Sequence, residues 1–180
     1  MTQTKKIFAV LTLPLLLITA TAPVHAANPG GTHAQVAFVD WGDFGNGIHL
    51  AGSLQVQEQL RLFAGYTNSD LDHLQFGAGW IVPLQPGFSL EFGGSLNYFD
   101  IGPADDTGLG AHAIARLTPL NALTLSGKLE YILLDDFDNE TVLGFDVNYR
   151  FQENISGFLN YSVYNEFDNN LILIGARLQF

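Results

Sequence analysis

The chain has 180 residues, is 47% hydrophobic and 12% aromatic, contains no cysteine and carries a formal net charge of −11. The absence of cysteine excludes a disulfide framework and a thiolate metal site. The acidic balance excludes the basic patch that nucleic-acid phosphates require.

At the N-terminus, Lys5 and Lys6 precede an apolar run over 7–20, and Val24-His25-Ala26 supplies a small-residue cleavage pattern. Together these have the form of a secretory signal peptide over 1–26, which leaves 27–180 as one exported domain. The run is short, and Pro14 and Pro23 interrupt the segment, which argues against a membrane-spanning helix. Removing Lys5 and Lys6 leaves five basic residues against eighteen acidic ones, a net of −13. No later stretch is apolar for long enough to cross a membrane as a helix. A mature chain that enters a bilayer must therefore close its backbone hydrogen bonds as a barrel.

After a lead-in at Asn28-Pro29-Gly30-Gly31, apolar and polar residues alternate with the two-residue period of strands. The pattern predicts strands at 33–41, 47–56, 60–68, 73–83, 87–99, 108–118, 122–134, 141–151, 154–165 and 170–180. A tyrosine recurs late in alternate strands, at Tyr66, Tyr98, Tyr131 and Tyr161, as expected of repeated hairpins. No connection is long enough for a crossover helix, so the strands form an antiparallel up-and-down meander.

Both a soluble and a membrane barrel have one apolar and one polar face, and the kind of polar residue separates them. One stripe reads Leu143, Phe145, Val147, Tyr149 and Phe151, and another Phe88, Leu90, Phe92, Leu96 and Tyr98. The opposite faces carry mostly Gly, Ser, Asn, Gln, Thr and His, where a soluble surface would be densely charged. All five basic residues of the mature chain (Arg61, Arg116, Lys128, Arg150, Arg177) fall on the polar register. An uncharged apolar face suits lipid, where a mid-membrane charge costs roughly 2–4 kcal/mol. Trp80, Tyr149, Phe151 and Phe180 near the turn ends, and Tyr66, Tyr98 and Tyr131 near the loop ends, match two interfacial girdles. Most strands are also long enough to cross a bilayer when tilted. The fold class read from this is all-β, an antiparallel up-and-down transmembrane β-barrel of ten strands, with eight the alternative. The first strand stays unoriented, because Val36 and Phe38 face Ala37, Val39 and Trp41 across its two registers.

The segment Leu171-Ile172-Leu173-Ile174-Gly175-Ala176-Arg177-Leu178-Gln179-Phe180 places Ile172, Ile174, Leu178 and Phe180 on one register. It resembles the C-terminal assembly signal of bacterial outer-membrane β-barrels, and the mature chain is similar to the small OmpA-like and OmpX-like barrels. The resemblance implies an outer-membrane location after signal-peptide-dependent export, lipid as surroundings and the barrel-assembly machinery as a partner. It also departs from the best-known members in strand number, and no periplasmic peptidoglycan-binding domain is expected. With both termini in the periplasm, loops at 42–46, 69–72, 100–107, 135–140 and 166–169 face outward. They are rich in acid, notably Asp135-Asp136-Phe137-Asp138-Asn139-Glu140, so weak bridging of divalent cations is one expectation.

Nucleophilic catalysis needs Ser, His and a carboxylate within reach. The candidates are His33, His49, His73 and His112, with His73 close in sequence to Asp70 and Asp72. No His-x-Ser pattern resembling that of the barrel lipid A deacylases is present. The reading is no enzyme, no cofactor and no metal site. The lumen instead gathers a charge cluster of Arg61, Glu91, Arg116, Lys128, Glu130, Asp146, Arg150 and Arg177. Four of these, Arg61, Arg116, Arg150 and Arg177, are placed as a basic ring near the periplasmic mouth. A salt-bridged network that fills the interior and a narrow pore both follow from such a cluster. The functional expectation is an outer-membrane barrel with a structural role or a narrow passive pore for small solutes. The alternatives are a surface-binding adhesin that uses short acidic loops, and a barrel enzyme.

Overall fold

The computed structural model describes residues 31–102 and 104–180, so the expected signal peptide lies outside the described residues. Ten strands form: β1 (His33–Asp40), β2 (Asn46–Gln55), β3 (Leu60–Asn68), β4 (Asp72–Gln85), β5 (Phe88–Asp100), β6 (Asp105–Leu120), β7 (Leu123–Leu134), β8 (Glu140–Arg150), β9 (Ile155–Tyr164) and β10 (Asn169–Gln179). Each pairs antiparallel with its sequence neighbours, and β10 closes on β1 with Phe38 opposite Ile174 and His33 opposite Gln179. The ladder has no free edge, which a bilayer demands because lipid offers no hydrogen-bonding partner. The expected ten strands form, and the eight-strand alternative is excluded. A single helical turn, Gly42–Phe44, lies between β1 and β2.

One end of the barrel carries tight turns, the start of β1 and Phe180, and the other carries the longer connections. They are called here the turn end and the loop end. In outer-membrane barrels short turns face the periplasm and longer loops the exterior.

Alternation along each strand sends one set of side chains outward and the other inward. The outward set is apolar and accessible: Phe38, Leu50, Phe76, Phe92, Leu129, Leu143, Phe145 and Ile174 are all exposed. In water such a continuous apolar belt would be an aggregation surface; against acyl chains it needs no cover. The wall is therefore inside-out relative to a soluble barrel, which removes the soluble reading. Trp80, Tyr149, Phe151 and Phe180 project outward at the turn end, and Tyr66, Tyr98 and Tyr131 at the loop end, so both aromatic girdles form. On β10, Ile174 and Leu178 are exposed on the belt and Ile172 is half-buried on the same face, and Phe180, just past the strand, is exposed as well.

The strand that the pattern left unoriented is settled by its neighbours. Ala37 and Val39 are buried inside and Trp41 follows them into the core, while Val36 and Phe38 face outward. Trp41 is the inward anchor: it is fully buried and packs against inward aromatic groups.

Candidate functional site

The lumen is built in three layers. At the turn end, Glu91 projects inward from β5 and is fully buried. Arg61 of β3 reaches it through Nε, 3.0 Å from Oε2, while its Nη2 donates to Oε1. Arg116 of β6 places Nη1 2.8 Å from Oε2, and His112 places Nε2 3.3 Å from Oε1. Two guanidinium groups and an imidazole thus surround one carboxylate, the arrangement a buried charge requires. Room for Glu91 comes from Gly79 on β4, where an added Cβ would collide with the carboxyl group.

The middle layer has two walls. On one, Arg177 Nε donates to Gln35 Oε1 at 2.9 Å, Gln35 Nε2 lies 3.2 Å from His49 Nε2, and His49 Nδ1 lies 2.9 Å from Thr67 Oγ1. This chain of donors fixes the tautomer: His49 accepts at Nε2 and donates from Nδ1. On the other wall Glu130 accepts from Lys128 Nζ at 2.9 Å, and from Ser95 Oγ and Gln75 Nε2 at 2.8 Å each. Gly110 leaves space for Ser95 and Glu130. Asp146 stands across from Arg177, with Nη2 and Oδ2 3.9 Å apart. A cavity of about 240 Å³ lies between these walls, running from His33, Arg61, Arg116 and Arg177 to Tyr164 and Leu171.

The third layer closes the loop end with apolar side chains. Trp41, Leu71, Phe99, Ile132, Val142, Tyr164, Leu171 and Leu173 are buried together, and Phe44, Ile101, Phe137 and Phe167 from the connections pack on them. Trp41 lies 5.2 Å from Tyr164 between ring centroids, Phe167 lies 5.5 Å from Phe99 and 6.0 Å from Phe44, and His73 stacks on Phe99 at 4.2 Å. The plug is thus a small hydrophobic core set inside one mouth of the barrel.

Several expectations are corrected here. Of the expected basic ring, Arg61, Arg116 and Arg177 line one cavity and Arg150 does not. Arg61 and Arg116 converge on Glu91, Arg177 turns toward Gln35 and Asp146, and Arg150 donates through Nη2 to the carbonyl of Asn121 at an exposed turn. The cause is acceptor supply: buried guanidinium groups go to a carboxylate, while Arg150, last in its strand, reaches out to the turn. The charge cluster is accordingly three groupings, Arg61–Glu91–Arg116, Lys128–Glu130 and Asp146–Arg177, with Arg150 apart. His73 is not paired with Asp70 or Asp72. It is buried, and Nε2 donates to Asn97 Oδ1 at 3.0 Å. The fold also makes a pairing that residue spacing did not reveal: Ser53 Oγ lies 2.9 Å from His33 Nδ1, and both contact the carbonyl of Gly31. Among the described residues neither touches a carboxylate, and no group of three or more His, Asp or Glu is placed to hold a metal ion.

The plug itself was missed. Its sequence signal is the loss of alternation at the loop ends, in Tyr131-Ile132-Leu133-Leu134, Val142-Leu143 and Leu171-Ile172-Leu173-Ile174. Such runs mark strands buried on both faces.

No protein-family model matches the chain, and no curated protein matches it. Among solved structures it is similar to KdgM porin in complex with disordered oligogalacturonate, with a TM-score of 0.53 and 13% identity, covering 82% of this chain and 99% of that one. It is similar to KdgM porin without that ligand at a TM-score of 0.52 and 13% identity, covering 82% and 99%. It is similar to NanC porin at 0.52 and 13%, covering 83% of this chain and all of that one. The fold is that of the outer-membrane β-barrels. At this identity the likeness is one of fold alone.

Proposed function

We propose that the chain is an integral outer-membrane barrel offering a narrow passive passage to small polar solutes, with the passage occluded at its outer mouth in the state described. The observation that carries this reading is the cavity of about 240 Å³ inside the inside-out wall, where Arg61, Arg116, Lys128, Glu130, Asp146 and Arg177 share the lining with apolar side chains such as Phe63, Ile114 and Leu173. A barrel that served only as a membrane body could fill its interior with apolar side chains and avoid desolvating Glu91, Arg116 and Glu130. The lumen sets Arg61, Arg116, Lys128 and Arg177 against Glu91, Glu130 and Asp146, so any preference for anions is slight. The fold shared with two porins agrees with this assignment. This reading assigns no catalytic role: among the described residues the contact between Ser53 and His33 has no carboxylate against it.

The test is single-channel recording of the folded, purified protein in a planar bilayer. Rare, brief steps are expected from the wild type and frequent ones from the plug-truncated variant Phe44→Ala/Phe167→Ala. Silence from both, in protein shown to be folded and inserted, would leave a structural barrel with a closed interior.

A further inference from the structure

The connections that carry Phe137 and Phe167 into the plug are tied down by two inward carboxyl groups. Asp106, near the start of β6, is 3% exposed. Its Oδ1 accepts from the backbone N–H of Thr107 at 2.7 Å and of Asp135 at 3.2 Å, and its Oδ2 accepts from Asp136 at 3.1 Å and Phe137 at 2.7 Å. Glu140, the first residue of β8, is fully buried. Its Oε1 accepts from the N–H of Glu166 at 3.1 Å and its Oε2 from Phe167 at 2.9 Å. In each case one strand supplies a carboxylate to the connection that follows the next hairpin. In each, the final amide held belongs to a phenylalanine of the plug.

We propose that Asp106 and Glu140 are latches that hold the outer mouth shut, and that releasing them lets Phe137 and Phe167 withdraw and joins the lumen to the exterior. The proposal rests on the pore reading above. The chemistry is specific to a carboxylate. Both oxygens of each group face N–H donors, so an amide must turn its own NH₂ toward donors in either orientation. Losing one hydrogen bond to a charged acceptor moves a two-state ratio by about tenfold, and the three amides of the connection on Asp106 (Asp135, Asp136 and Phe137), against two on Glu140, make it the stronger latch.

The experiment compares single-channel open probability for wild type, Asp106→Asn, Glu140→Gln, their double variant, Asp138→Asn and the plug-truncated Phe44→Ala/Phe167→Ala. Asp138 is exposed in the same connection as Phe137 and controls for simple loss of charge. The latch variants are expected to open about tenfold more often than wild type or more, with the step size of the plug-truncated protein, while Asp138→Asn behaves as wild type. Closed latch variants beside a conducting plug-truncated protein would overturn the latch and leave the pore. Silence from every folded variant would overturn the pore and the latch with it. An equal response to Asp138→Asn would reduce the effect to surface charge and overturn the latch. Amide hydrogen exchange on the wild type supplies a measurement that needs no variant to fold: the Phe137 and Phe167 amides should exchange at least about tenfold more slowly than that of Asp138. Equal rates would show that these carboxylates hold nothing.

Discussion

Glu91 illustrates what the barrel interior demands of a single residue. A carboxylate at this depth, fully out of solvent, is tolerated because Arg61, Arg116 and His112 meet it. Truncating it leaves two guanidinium groups buried without their acceptor, the situation in which removing one partner of a buried ion pair costs about 3–5 kcal/mol. Glu91→Ala is therefore expected to lower unfolding stability in lipid by that amount, read from urea titration. Arg150→Ala, whose guanidinium sits at an exposed turn, should stay within about 0.5 kcal/mol of wild type. Comparable small losses for both would mean that the Glu91 cluster is not a structural unit. Gly79→Ala should act in the same direction as Glu91→Ala, because the added methyl occupies the space of the carboxyl group.

At the scale of the strand, one wall serves two solvents, and this decides how much could be read beforehand. Strand number, order and pairing followed from alternation, because inward Ser156, Asn160 and Ser162 differ so plainly from outward Ile155, Leu159 and Tyr161. The placement of Arg61, Arg116, Lys128, Arg150 and Arg177 on the inner register was legible for the same reason. Their partners were not, since Arg61 and Glu91 lie thirty residues apart and meet only through the registers of β3, β4 and β5. The plug was hidden by a different cause: at the loop ends the inward register also turns apolar, and periodicity alone cannot assign two apolar faces. The outward face makes its own prediction. Leu129 sits mid-strand on the belt and Tyr131 nearer the loop end. Arginine at position 129 should destabilise the barrel by about 2–4 kcal/mol and arginine at 131 by about 0–1 kcal/mol. Urea unfolding in bilayers checks the difference, and equal costs would place the two positions at one depth.

For the whole molecule, the chain's two tryptophans report the two sides of the wall. Trp41 is fully buried in the plug, and Trp80 is 48% exposed on the outer belt at the turn-end girdle. An inside-out barrel gives them opposite surroundings: Trp80 meets lipid directly, while Trp41 is screened from lipid by the strands and from water by Phe44, Tyr164 and Phe167. Fluorescence of the single-tryptophan variants Trp80→Phe and Trp41→Phe, reconstituted with acyl-chain-brominated lipid, should show quenching confined to the protein that keeps Trp80. Quenchers placed near the headgroup should act on Trp80 more strongly than those at the bilayer centre, since aromatic girdles sit at the interface. A soluble barrel would show no bromine quenching of either residue, and a barrel with its faces exchanged would show it for Trp41. The same pair also reads the plug. When the loop end opens, Trp41 loses its aromatic cover and becomes accessible to a water-soluble quencher while Trp80 keeps its lipid contact. Occlusion of the lumen and insertion of the wall are therefore separable with one pair of variants.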